Sequence, residues 1–311
     1  MRRLALGAAG LLLAAALLAP YAVMLLTALK PAAELRVSPP RLLPQQWRPQ
    51  NFWMVLRDPE FQSWLTVSLV VAVASTLLVL VAAVPAAYHT ARHRFPGRAA
   101  FLFLVLVTQM FAPTALVVGL YREFFELGLI NTYTALVAVN AAFNLAFAIW
   151  ILRAFFASIP REIEEAAAVD GCGPAGTLFR IILPVAAPGI VTAAIFAFIA
   201  AWNEYIVALT LMTDASMRPL TVGITSYVTA YVQHWDLLFA ASTIAIVPVV
   251  ILFASIEPYL VPQPLLFIPM ADIINKLELG NTLSAVMLTY PTLLIPFCAW
   301  LLMGYFKSVP R

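Results

Sequence analysis

Ser158-Ile159-Pro160-Arg161-Glu162-Ile163-Glu164-Glu165-Ala166-Ala167-Ala168-Val169-Asp170-Gly171 is a polar, helix-forming island in a chain that is otherwise apolar. Pro160 suits a first helical turn, and the carboxylates of Glu162, Glu164 and Glu165 complement the positive end of the aligned peptide dipoles. Gly171 takes the left-handed conformation that ends a helix at little cost. The pattern predicts a short amphipathic helix over about residues 160–171, running to Asp170 and lying across a membrane surface. Ala166 and Ala167 give it a smooth face, and Glu165 offers a carboxylate to a basic partner. Pro184, which follows Ile181-Ile182-Leu183, is placed to begin the next apolar segment.

The surroundings of this island set the class. Hydrophobic residues make up 63% of the chain and charged residues 11%, far outside the range of soluble domains. A span needs roughly 20 apolar residues, and runs of that order lie near 4–29, 64–88, 99–120, 134–156, 186–212 and 237–257. They predict an all-α polytopic membrane protein with six spans and the lipid bilayer as its solvent. The first run follows Met1-Arg2-Arg3 and is roughly twice the 7–15 apolar residues of a secretory signal, so it reads as a retained span.

Arg2-Arg3 and the loop His89 to Arg98 fall on one side of the membrane when the spans are counted this way. The positive-inside rule makes that side, with the N-terminus and the Glu-rich helix, cytoplasmic. The first outer loop, Lys30 to Arg57, is also basic and weakens the asymmetry. Its Pro39-Pro40-Arg41 to Pro49 segment reads as stiff and extended, and His234-Trp235-Asp236 reads as a second outer loop.

Cys172 and Cys298 are too few for a metal framework or a disulfide scaffold. The net charge of +3 is small and spread through several loops, so no stripe follows phosphates and nucleic acid is not an expected partner. His89 and His93 stand four apart with no acidic or cysteine companion, which favours inner-loop charge over metal chelation.

Taken alone, Glu-Glu-Ala-Ala-Ala is merely good helix-forming sequence. The longer spacing, Glu165-Ala166-Ala167, then Gly171, then Ile181 and Leu183-Pro184, resembles the permease subunits of binding-protein-dependent ABC importers. The likeness covers roughly residues 1–260 and is nearest to the six-span partner of the maltose-type carbohydrate permeases, a type I fold. Leu29-Lys30-Pro31, Asn51-Phe52, Asn131-Thr132, Ile159-Pro160-Arg161-Glu162 and Trp202-Asn203-Glu204-Tyr205 add to it. Val67-Ser68 departs from it, because such permeases usually carry Asn-Ser there.

The resemblance implies a permease domain over 1–261, with its core at about 64–257. It also implies a second permease subunit in a heterodimer, two ATPase subunits or one ATPase homodimer, and an extracytoplasmic binding protein that delivers a sugar, a glycerol-phosphate or another polyol. Glu162, Glu165, Ala166, Ala167, Asp170, Gly171, Leu183 and Pro184 would form the coupling element gripped by the ATPase. ATP and Mg would be bound by those partners, with no cofactor in this chain. The lysines, Lys30, Lys276 and Lys307, never follow Gly, so no phosphate-binding P-loop is present.

Trp202-Asn203-Glu204-Tyr205 forms a second candidate site for the translocation pathway or a gate. An ionisable group within a span is a functional candidate because it costs roughly 2.5–3.5 kcal/mol to insert. If the span starts near Ala186, however, Glu204 lies about 27 Å along it, close to the outer interface. There Trp202 and Tyr205 would be interfacial anchors instead.

From residue 262 to 311 the chain repeats residues 112–161 at a constant offset. Leu127, Leu129, Asn131-Thr132, Trp150 and Phe156 recur as Leu277, Leu279, Asn281-Thr282, Trp300 and Phe306. This atypical extension reads either as a fused partial permease or as a seventh span, and as inessential to transport. A secondary transporter would place paired charges or broken helices at the midplane, and a membrane enzyme would need converging acid, base or metal groups. The span interiors are nearly free of charge and favour neither rival.

Overall fold

The computed structural model describes residues 2–260 apart from Ser38, Pro40, Ala230 and Val232. The repeat-like segment 262–311 therefore lies outside the described residues. Residues 27–260 form one compact unit, and Met1–Leu26 fall in a separate one.

Helix α1 (Arg2–Ala28) is followed by α2 (Gln50–Arg57) and the long α3 (Pro59–Arg92). Next come α4 (Arg98–Thr108), α5 (Pro113–Glu126), α6 (Tyr133–Ser158) and α7 (Glu162–Val169). The short α8 (Pro174–Gly176) and α9 (Leu183–Val185) flank a π-helical turn at Thr177–Ile182. The chain continues through α10 (Ala187–Trp202), α11 (Ile206–Leu211), α12 (Leu220–Gly223) and α13 (Trp235–Leu260).

Asp58 starts α3 by accepting the Glu60 amide, with Pro59 in the first turn where its missing N–H is harmless. The helix then holds 34 residues, about 50 Å at 1.5 Å each, enough to cross a bilayer of about 40–45 Å with its headgroups. Thr132 caps α6 in the same way, accepting from the Ala135 amide at 3.3 Å. In α3, α6 and α13 the sequence runs are long and apolar enough to span.

Two runs do not form single helices. The expected span at 99–120 is two helices, α4 and α5, bent by 93°. Pro113 is the cause: it forces Ala112 into extended backbone and then opens α5. The expected span at 186–212 is likewise broken. Just ahead of it, residues Pro174–Val185 meet α10 at 78°, because Pro184 and Pro188, one turn apart, each remove an i→i−4 hydrogen bond. Pro184 therefore sits inside α9, and the next long helix begins only at Ala187. At its far end α10 stops at Trp202 instead of continuing to residue 212.

Helices α3, α6 and α10 pack together through small side chains. Ala83, Ala87, Ala148, Ala193 and Ala197 are buried among Val79, Ile149, Leu152 and Phe156. Lipid tails are as apolar as leucine, so close approach of small residues, and not hydrophobic exclusion, holds such helices. A second cluster joins Val67 and Val71 of α3 to Leu136 and Val139 of α6 and to Val207 and Leu211 of α11.

The segment after α1 folds back and is not extended. Arg48 donates its amide to Leu29 O at 2.8 Å, and the Glu34 carboxylate accepts from Gln45 N at 3.0 and 3.2 Å. Asn51 of α2 is fully buried and donates to Ala28 O at 2.8 Å and Lys30 O at 2.9 Å. Trp235 and Asp236 belong to the first turn of α13 and not to a loop.

Gly189 lets α10 come close to α6, where an added Cβ would lie 2.4 Å from Phe155 Cγ. Gly189→Val should lower the thermal stability of the nanodisc-embedded chain by about 1–3 kcal/mol through overpacking, with Gly189→Ala milder. Unfolding midpoints read by tryptophan fluorescence check this.

Candidate functional site

Helix α7 starts at Glu162, slightly later than the sequence pattern predicts, because Pro160 holds Ile159 extended at φ −75 and ψ 127. It ends as expected. Gly171 has φ +81, its amide donates to Ala168 O at 3.1 Å, and the Cys172 amide donates to Ala167 O at 2.9 Å. These two reversed bonds satisfy carbonyls that a helix end leaves orphaned.

Glu162, Glu165, Ala166 and Asp170 are exposed, and Val169 is 88% exposed. Ala167 is buried at 3%. The smooth Ala166-Ala167 face expected from the sequence is thus divided, since neighbouring residues on a helix do not share a face. Ile163 and Ala167, four apart, turn toward the bundle, where Ile163 packs on the core shared by α3, α6 and α10. Leu183 packs on the same core, while Pro184 is exposed.

The sequence reading missed the contact that fixes α7 in place. Glu164 forms an ion pair with Arg92 at the end of α3, with side-chain exposures of 21% and 6%. Its other oxygen accepts from the Tyr88 hydroxyl at 3.2 Å, and Arg161 Nη2 donates to Arg92 O at 3.0 Å. Tyr88 and Arg92 stand four apart on one face of α3, but nothing local in the sequence pairs them with Glu164. His89 and His93 stack on each other at 4.7 Å, and His89 also meets Phe95 at 5.0 Å.

The second candidate site is a helix break. After Trp202, the Glu204 carboxylate accepts from Val207 N at 2.7 Å and Ala208 N at 2.9 Å, capping α11. Thr221 Oγ1 donates to Glu204 O at 2.7 Å. Trp202 is 5% exposed and stacks on Phe198 at 5.7 Å, so it is a packing residue and not a ring presented to lipid headgroups. Tyr205 packs against the Val67–Leu136 cluster, while Asn203 is exposed.

At the opposite end of α3 from Arg92, residues 213–228 are fastened to that helix. Ser63 Oγ donates to Ser216 O at 2.8 Å, Trp64 Nε1 to Ala215 O at 3.3 Å, and Ser68 Oγ accepts from Leu220 N at 2.7 Å. Tyr227 donates to Asp58 Oδ2 at 2.9 Å. Burial, then the Asp58 carboxylate, pushes the Tyr227 hydroxyl well above its ordinary range, so it remains a donor at neutral pH. Asn131, at φ 59, binds the same loop through Thr213 Oγ1 at 2.9 Å and Asp214 N at 3.0 Å.

Residues 75–265 match the family described as binding-protein-dependent transport system inner membrane component. A sulfoquinovosyl glycerol transport system permease protein of Agrobacterium fabrum is 36% identical over 238 residues, covering 76% of this chain and 84% of its own. A trehalose/maltose transport system permease protein of Thermococcus litoralis is 36% identical over 215 residues, covering 68% of this chain and 77% of its own. The fold matches a chain of the crystal structure of a bacterial ABC transporter involved in import of the acidic polysaccharide alginate. That match has a TM-score of 0.70 at 24% identity and covers 80% of this chain and 93% of the other. A secondary transporter and a membrane enzyme are thereby set aside. The chain belongs to the binding-protein-dependent transport system inner membrane component family and is a multi-pass inner-membrane permease subunit of an ABC importer.

Proposed function

We propose that this subunit, paired with a second permease, forms the pathway for a sugar or related solute that an extracytoplasmic binding protein delivers. The observation that carries the reading is the agreement among relatives. The permeases named for sulfoquinovosyl glycerol, diacetylchitobiose and trehalose/maltose all serve glycosides. A polyol or glycerol-phosphate is the neighbouring alternative.

In this reading the Arg92 end of α3 and all of α7 face the cytoplasm, as does the N-terminus, and the loop 213–228 faces outward. Separate ATPase subunits bind ATP and Mg and grip α7 by its exposed Glu162, Glu165, Ala166, Val169 and Asp170. The Gly171 cap and the Leu183-Pro184 turn hold that helix at a fixed angle. Ala167 serves from the inside, seating the helix on the bundle. ATPase closure would then become rigid-body movement of the spans. Residues 1–261 suffice for this role, and 262–311 are dispensable.

The break at 203–205 borders the pathway in this proposal. Discontinuous helices at substrate sites expose backbone and polar groups only where a cavity or protein can satisfy them. Asn203 faces outward from the packed helices, whereas Glu204 shapes the break by capping α11.

Two measurements test the proposal. Glu165→Lys should abolish co-purification of the cognate ATPase while leaving the unfolding free energy within about 0.5 kcal/mol of the parent, as for an exposed substitution. Unchanged co-purification would remove α7 from the docking surface. Glu204→Ala should lose about 1–2 kcal/mol of stability with the cap, and transport should fall in step, with Glu204→Gln intermediate. A fully stable Glu204→Ala that fails to transport in proteoliposomes would assign the carboxylate to the solute instead.

A further inference from the structure

Helix α3 holds α7 at one end and the loop 213–228 at the other. At one end the Arg92 guanidinium, 6% exposed, pairs with Glu164 of α7, and Tyr88 holds the second carboxylate oxygen at 3.2 Å. Arg161, at the start of α7, closes the joint by donating to the last carbonyl of α3 at 3.0 Å. At the other end Asp58, Ser63, Trp64 and Ser68 hold the loop 213–228. Gly223 approaches so closely that an added Cβ would lie 2.2 Å from the Trp64 ring.

We propose that Tyr88, Arg92 and Glu164 form the joint through which movement of α7 is passed to α3. Helix α3 then carries it, as one rod, to the loop at its far end. The proposal rests on α7 being the ATPase-docking helix, as proposed above. A mechanical link must be stiff at each joint and unbroken between them. The run from Pro59 to Arg92 stays helical throughout, even across Pro85, which leaves Val81 O without its i→i−4 donor, whereas α4–α5 and α8–α10 are bent at 93° and 78°. Helix α6 joins α7 through the extended backbone of Ile159, which transmits a turn poorly. A mostly buried ion pair with a further hydroxyl contact holds the two helices close, because water competes little with it there.

Tyr88, Arg92 and Glu164 are positioning residues, since none need touch solute or nucleotide. The joint also makes the coupling reciprocal. A receptor docked on the loop 213–228 would bias the orientation of α7 by the same free energy with which α7 biases the loop.

The test uses the complete complex in proteoliposomes, with the cognate binding protein and ATPase. Arg92→Met and Glu164→Gln should each retain the ATPase on purification. Solute transported per ATP hydrolysed should fall roughly tenfold, within the coupling range of groups in direct contact. Stimulation of hydrolysis by loaded binding protein should fall with it. The exchanged pair Arg92→Glu with Glu164→Arg should recover a good part of both, and Tyr88→Phe should give a smaller loss. Wild-type transport per ATP in both single variants would overturn the joint, as would an exchanged pair no better than either single.

A second arm does not depend on the ATPase. In the chain alone in nanodiscs, Arg92→Met should raise amide hydrogen exchange across 162–170 while exchange in the middle of α3 stays at the parent level. Unchanged exchange in α7 would sink the proposal even if the ATPase docks as expected. Failure of the unmodified complex to retain its ATPase would instead sink the docking reading.

Discussion

A helix in hydrocarbon has no water to satisfy its backbone, so the chain can turn or break inside the bundle only where another group takes over the lost hydrogen bonds. The irregular points of this protein follow that rule. Between α4 and α5 the break falls at Pro113, whose nitrogen has no proton to leave unpaired. Beyond α10 the Glu204 carboxylate takes the first free amides of α11, and Thr221 takes the Glu204 carbonyl. At the end of α7 the left-handed Gly171 turns two amides back onto orphan carbonyls.

Continuity elsewhere acquires meaning from these breaks. Helix α3 is long and stays helical across Pro85 between a capped start at Asp58 and an ion-paired end at Arg92. The core forms around it from alanines and valines, and the approach of α10 is set by Gly189. An importer subunit needs rigid pieces that move as wholes, and small-residue packing supplies rigidity where the hydrophobic effect cannot.

Much of this was legible beforehand. The apolar runs located α1, α3, α6 and α13, and the acidic start with Gly171 located α7 almost to the residue. The runs at 99–120 and 186–212 read as uninterrupted because hydropathy averages over a window and does not register a local break. Pro113 is the visible signal for the first, whereas the break of the second after Trp202 carries no proline, and Pro85 sits inside α3 without dividing it. Trp202 was misjudged for a different reason: an aromatic near a helix end suits an interface or a core equally well, and only its neighbours decide.

The sequence by itself determined that the chain lives in a membrane, that its polar helix sits between two spans, and that this helix is acidic at its start and glycine-capped at its end. Those properties depend on composition and on residues within a few positions of one another. The tertiary structure alone decided that Glu164, and not the more conspicuous Glu165, grips Arg92, that Ala167 faces inward, and that Ser68 and Asp58 hold a loop far along the chain. Such contacts join residues that local periodicity cannot relate, because their pairing exists only after α3, α6 and α10 have packed.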